Sequence, residues 1–97
     1  MIWQERRYDI LFSHSLSYKR GNQPEKAVGL WEKIARVETP ESYAALIELA
    51  KYYEHRARDF PTALKYTLEA KNGCPDRATY REELEKRINR LHRKLSR

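Results

Sequence analysis

The chain has 97 residues, 35% of them charged and 40% apolar, and carries a formal net charge of +6. That length allows one modest core and excludes a large enzyme, while eleven aromatic residues exclude a disordered segment because their rings need burial. No apolar run approaches the roughly 18 residues of a membrane span, Met1-Ile2-Trp3-Gln4-Glu5 lacks the pattern of a signal peptide, and the single Cys74 forbids an internal disulfide, so a cytoplasmic setting without membrane contact is expected.

Breakers at Gly21, Pro24, Pro40, Pro61, Gly73 and Pro75 leave five segments rich in Ala, Leu, Glu, Lys and Arg, and all five read as helices. The first runs from about Trp3 to Arg20, with Leu11, His14, Ser15 and Tyr18 along one stripe, and stops at Gly21 and Asn22. The second opens at Pro24, where a missing N–H costs nothing, and continues to about Val37. Gly29 inside it implies close contact with another helix. The third starts at Thr39 as N-cap with Pro40 behind it, buries Leu46, Leu49, Ala50 and Tyr53, and ends near Ala57. The fourth follows Asp59 as N-cap, turns Ala63, Leu64, Thr67 and Ala70 inward, and ends at Gly73 as a left-handed C-cap. The fifth follows Pro75 with Asp76 as N-cap and carries Tyr80, Leu84, Ile88, Leu91 and Leu95. The fold class is therefore all-α over a single 1–97 domain.

Setting Ala27 against Ala63 gives a period of 36 residues, and Tyr18 against Tyr53 one of 35, so a helix pair recurs once. The second unit reads Leu46-x-x-Leu49-Ala50-x-x-Tyr53, then Asp59-Phe60, Ala63, Ala70 and Pro75; the first matches as Leu11, Tyr18, Ala27 and Trp31, with His14 and Ser15 in place of a large-small pair. This pattern resembles the tetratricopeptide repeat. The resemblance implies two antiparallel hairpins, about 8–39 and 42–75, wound as a right-handed αα superhelix, with 76–97 as a long capping helix. Ile34 and Thr67 depart from the pattern, and the turn after Tyr53 is one residue longer.

A second resemblance lies in Leu49-Ala50-Lys51-Tyr52-Tyr53-Glu54-His55-Arg56 and in Leu84-Glu85-Lys86-Arg87-Ile88-Asn89-Arg90-Leu91-His92-Arg93-Lys94-Leu95. Together they look like the C-terminal helical region of bacterial proteins that carry an N-terminal RNase H-like exonuclease domain. The acidic catalytic positions of that nuclease have no counterpart here, so the resemblance implies the accessory module without the enzyme.

Tetratricopeptide proteins commonly bind peptides on the concave face of their first helices, and the resemblance places Asp9, Phe12, Leu16 and Lys19 there, with Ala44, Ile47, Lys51, Glu54 and His55. The family's clamp for a terminal carboxylate needs Lys and Asn where Phe12 and Leu16 stand, so an amphipathic helix, from a partner or from the chain's own ends, fits this face better.

Charge is concentrated at the other end. Residues 77–97 hold eight Lys and Arg against three Asp and Glu, and residues 1–76 hold twelve against eleven. Two readings compete: a basic helix that follows nucleic-acid phosphates through Arg87, Arg90, Arg93 and Lys94, or a capping helix whose outer faces are simply solvated, diluted by Glu82, Glu83 and Glu85. The four-three-four spacing of Leu84, Ile88, Leu91 and Leu95 also offers a seam for a second copy of the chain, a homodimer.

Catalytic chemistry is not expected. His14, His55 and His92 lie in separate helices without metal-ligand spacing, Cys74 has no neighbouring base, Ser13, Ser15 and Ser17 form no nucleophile elbow, and the adjacent Tyr52 and Tyr53, one of which must face the core, leave a single exposed ring for base stacking. The reading is a non-catalytic protein-binding scaffold without cofactor, with a nucleic-acid accessory role as the alternative.

Overall fold

In a computed structural model, residues 12–37, 40–74 and 77–96 are described. They form helices and connecting turns, with no strand among them. Residues 12–20 are helical (α1), followed by α2 (Pro24–Ala35), α3 (Pro40–His55), α4 (Phe60–Asn72) and α5 (Ala78–Leu95). The protein is all-α, as the sequence predicts. Its internal contacts separate into two compact units, Met1–Glu48 and Leu49–Arg97, and α3 contributes to both.

In the first unit, α1 and α2 form an antiparallel hairpin because the turn between them satisfies its own backbone. The Gln23 N–H reaches the Tyr18 carbonyl at 2.8 Å and the Asn22 N–H reaches the Lys19 carbonyl at 3.3 Å, the paired bonds of a Schellman ending. The left-handed residue is Asn22, at φ 62, which tolerates that region better than most side chains. Pro24 then opens α2 in the first turn. Ser15, Ala27, Trp31, Ile34, Ala45 and Leu46 are buried. Ser15 and Trp31 each stand eight residues from Gln23, and the Trp31 indole N–H donates to the Ser15 hydroxyl at 2.7 Å. The stripe expected on α1 is narrower than its spacing suggests: Ser15 is buried, but His14 is exposed and Tyr18 is 38% exposed. Leu11, Thr39 and Asp76 lie outside the described residues.

Gly29 does not mark a close helix contact. A Cβ built there meets nothing within 4 Å, and the residue is exposed. Gly29→Ala is therefore expected to stabilise the protein by about 0.5–1 kcal/mol, through reduced freedom of the unfolded chain. Urea denaturation measures this, and a lower midpoint for the Ala variant contradicts it.

In the second unit, α4 and α5 pack against each other. The Lys71 ammonium stands 3.3 Å from the Glu85 carboxylate at one end, and the Lys94 ammonium 5.0 Å from the Phe60 ring centre at the other. Those two contacts fix the helices as antiparallel. Asp59 caps α4 as expected, accepting from the Thr62 backbone N–H at 3.3 Å and the Thr62 hydroxyl at 2.7 Å. Ala63, Thr67 and Ala70 are buried on α4, and Leu84, Ile88 and Leu91 on α5. Thr67, standing where the repeat pattern calls for an aromatic, satisfies its hydroxyl on the Ala63 carbonyl at 2.7 Å.

Several local expectations need correcting. Gly73 ends α4 at φ −104, outside the left-handed region, with its N–H bonded to the Ala70 carbonyl. The N-cap of α5 is Arg77, in an extended conformation with no side-chain cap bond. Leu95 leaves the buried stripe and is 40% exposed. The second left-handed residue is Arg58, at φ 52, which absorbs the extra residue after Tyr53. Around it the turn widens, as the Ala57 N–H reaches back to the Tyr52 carbonyl at 3.1 Å and the Asp59 N–H to the Tyr53 carbonyl at 2.7 Å.

Candidate functional site

The most unusual chemical feature lies wholly in the second unit. On α3, Glu54 follows Ala50 by one helical turn and so continues the line of the buried Leu46 and Ala50. It is 1% exposed. An isolated carboxylate in that position would be strongly destabilising, and α5 supplies what holds it. Arg87, Arg90 and Lys94 stand at steps of three and four, on the ridge flanking Leu84, Ile88 and Leu91.

All three cations reach the same carboxylate. The Arg87 Nη1 donates to Glu54 Oε1 at 2.7 Å, and Arg90 binds with two prongs, Nε to Oε2 at 2.5 Å and Nη2 to Oε1 at 2.9 Å. The Lys94 ammonium completes the shell on Oε2 at 2.9 Å. Burial alone pushes the Glu54 carboxyl up, but the hydrogen bonds from Arg90 and Lys94 and the charges of Arg90 and Arg87 outweigh it, so its pKa falls from 4.5 to about 2. The same hydrogen bond with Glu54 raises the Arg90 guanidinium further above its ordinary value. The Glu54 side chain is fully enclosed, whereas those of Arg87, Arg90 and Lys94 are 15%, 37% and 30% exposed. The cluster thus has a sealed acidic centre and a basic rim.

The other sequence-predicted residues are distributed as follows. Phe12 and Leu16 on α1 and Ala44, Ile47 and Lys51 on α3 are part-exposed, and Lys19 pairs its ammonium with the Glu48 carboxylate at 2.8 Å. Asp9 lies outside the described residues. His55 is exposed, with Nε2 3.7 Å from Glu54 Oε1. Glu54 itself, expected on an open peptide-binding face, is enclosed instead. Of the four cations expected to contact phosphates, Arg87, Arg90 and Lys94 converge on Glu54, and Arg93 is exposed outside the cluster.

Cys74 is part-buried and lines a pocket of about 190 Å³ with Lys71, Arg81, Leu84 and Glu85. Tyr53 stacks on Tyr66 with ring centres 5.6 Å apart and meets Tyr52 edge-on at 5.2 Å. Among the described residues no group of three His, Cys, Asp or Glu side chains could hold a metal ion, and no helix is long and apolar enough to cross a membrane. Sequence reasoning missed the role of Ser15, whose hydroxyl accepts from Trp31 and donates to the Phe12 carbonyl at 2.5 Å. The available signal was its place at the small-residue position of the repeat pattern, in the hairpin that also carries Trp31.

Fold and cluster together define an all-helical chain in whose second unit α5 is keyed to a buried carboxylate of α3. No protein-family model matches the sequence, and no solved structure does. The chain is similar to the uncharacterised protein YprB of Bacillus subtilis (strain 168), with 47% identity over 87 residues. The match covers 84% of this chain and 20% of YprB, so the chain spans about a fifth of the length of that relative.

Proposed function

We propose that the chain is a non-catalytic helical module that docks an amphipathic helix of another protein, in the manner of a tetratricopeptide scaffold. The observation that carries this reading is the α1 and α3 surface of the first unit. Phe12 and Leu16 continue by helical spacing to Lys19, Ala44 continues to Glu48, and the Lys19–Glu48 pair joins the two lines. Part-exposed Phe12, Leu16, Ala44 and Ile47 thus flank a polar tie. Residues 1–48 hold seven Lys and Arg and seven Asp and Glu, a neutral balance that suits a mixed apolar and polar partner better than a polyanion.

The match to a fifth of a longer relative supports an accessory role, in which the first partner to test is the remainder of such a chain. Calorimetric titration of this protein with the non-matching part of YprB checks it. Micromolar binding that Leu16→Glu and Ile47→Glu each weaken at least tenfold, with helical circular dichroism retained, is the expected result. No heat, or binding indifferent to both substitutions, sinks it.

A second reading, the nucleic-acid accessory surface, rests on a separate observation. Residues 49–97 hold thirteen Lys and Arg against seven Asp and Glu, so the whole formal surplus of +6 belongs to the second unit.

A further inference from the structure

The Glu54 cluster holds more positive charge than its carboxylate requires. One anion faces three cations, leaving a local surplus of two charges. The bidentate Arg90 guanidinium alone matches the single charge of Glu54. Two guanidinium groups and an ammonium carry thirteen N–H bonds, and only four of them go to Glu54. The remaining donors sit on side chains that are part-exposed, held in fixed directions from below. A rim of oriented, unspent N–H donors with net positive charge is a receptor for an oxyanion.

The helix around the cluster indicates an extended polyanion. From Lys86 to Lys94, α5 carries five cations and no carboxylate of its own, whereas Glu82, Glu83 and Glu85 sit together one turn earlier. Arg87 and Lys94 stand about 10 Å apart along the axis at 1.5 Å per residue, enough for two successive phosphates of one strand. Lys86 and Arg93 occupy the neighbouring ridge and are exposed.

We infer that Arg87, Arg90 and Lys94 form a phosphodiester site that grips two adjacent phosphates of a nucleic-acid strand, with Glu54 as the buried positioning residue that aims them. The inference rests on the nucleic-acid reading of the second unit and adds the site to it. Arg93 takes no part in the grip.

Fluorescence anisotropy of a short labelled single-stranded oligonucleotide on the full chain, followed across a salt series, tests this. Two phosphate contacts give a slope of log affinity against log salt of about −1.4. Lys94→Gln is expected to weaken binding roughly three- to fivefold and to flatten that slope by about 0.7, while Arg93→Gln changes neither. Glu54→Gln, with its helical circular dichroism retained, raises the net charge by one yet weakens binding, an outcome that a purely electrostatic surface does not give. If Lys94→Gln keeps its circular dichroism, affinity and slope, the site is overturned; a loss on Lys86→Gln and Arg93→Gln instead moves the surface to the outer ridge and leaves the broader reading standing. No binding at the lowest salt overturns both. Displacement by inorganic pyrophosphate or poly-glutamate as effective as by unlabelled strand overturns the assignment to nucleic acid.

Discussion

Glu54→Gln is expected to cost about 3 kcal/mol of folding stability at neutral pH, a large share of what a domain of this size possesses. The figure is set somewhat below the full displacement of the carboxyl pKa from 4.5 to about 2 by its three cations, because the carboxylate is enclosed while Arg87, Arg90 and Lys94 are 15%, 37% and 30% exposed and so partly screened by solvent. The sign is set by proton linkage. Because the folded-state value lies below the unfolded one, the contribution is complete above about pH 4.5, declines as acid protonates the unfolded chain first, and is gone below about pH 2. Chemical denaturation at a series of pH values should therefore show the wild type and Glu54→Gln well separated at neutral pH and converging in acid. A constant difference across that range would mean that the carboxylate charge is irrelevant and that only the shape of the side chain matters. Lys94→Gln provides the contrast. Glu54 then keeps Arg87 and Arg90, the lost ammonium is 30% exposed, and the expected cost is about 0.5 kcal/mol.

The site was only half legible in the sequence, and the reason is the distance over which its parts meet. Helical spacing shows which residues share a face, so the buried Ala27, Ala63 and Ala70 and the Asp59 cap follow from local pattern. Glu54 meets Arg87, Arg90 and Lys94 across 33 to 40 residues, and no local rule pairs them. The usable clue was that Glu54 stands one turn beyond Ala50, on the apolar side of α3, where a carboxylate without a partner is costly. Likewise Arg87, Arg90 and Lys94 flank the Leu84, Ile88 and Leu91 stripe, while Arg93 lies off that ridge. Turn chemistry failed in a different way. Asn22 in the left-handed region is an ordinary choice, but Arg58 is held there by the bonds of Ala57 and Asp59 to Tyr52 and Tyr53, so tertiary context overrides its preference.

Trp31→Ala is expected to be the most damaging substitution in the first unit. The side chain is 1% exposed, and truncating a buried aromatic costs about 3–5 kcal/mol through lost transfer energy and the cavity left behind. Part of that cost is polar. The indole N–H, the Ser15 hydroxyl and the Phe12 carbonyl form a directed chain, in which Ser15 accepts at 2.7 Å and donates at 2.5 Å. Ser15→Ala breaks the chain and strands a buried indole donor, for about 1–3 kcal/mol, although the substitution restores the small apolar residue that the repeat pattern prefers. Trp31→Phe removes the donor while keeping most of the ring, so in that background Ser15→Ala should cost much less. A double-mutant cycle over these two positions isolates the bond. A coupling near 1 kcal/mol or more assigns Ser15 the role of satisfying the tryptophan; additive effects would mean that the hydroxyl is tolerated at this position without contributing to the hairpin.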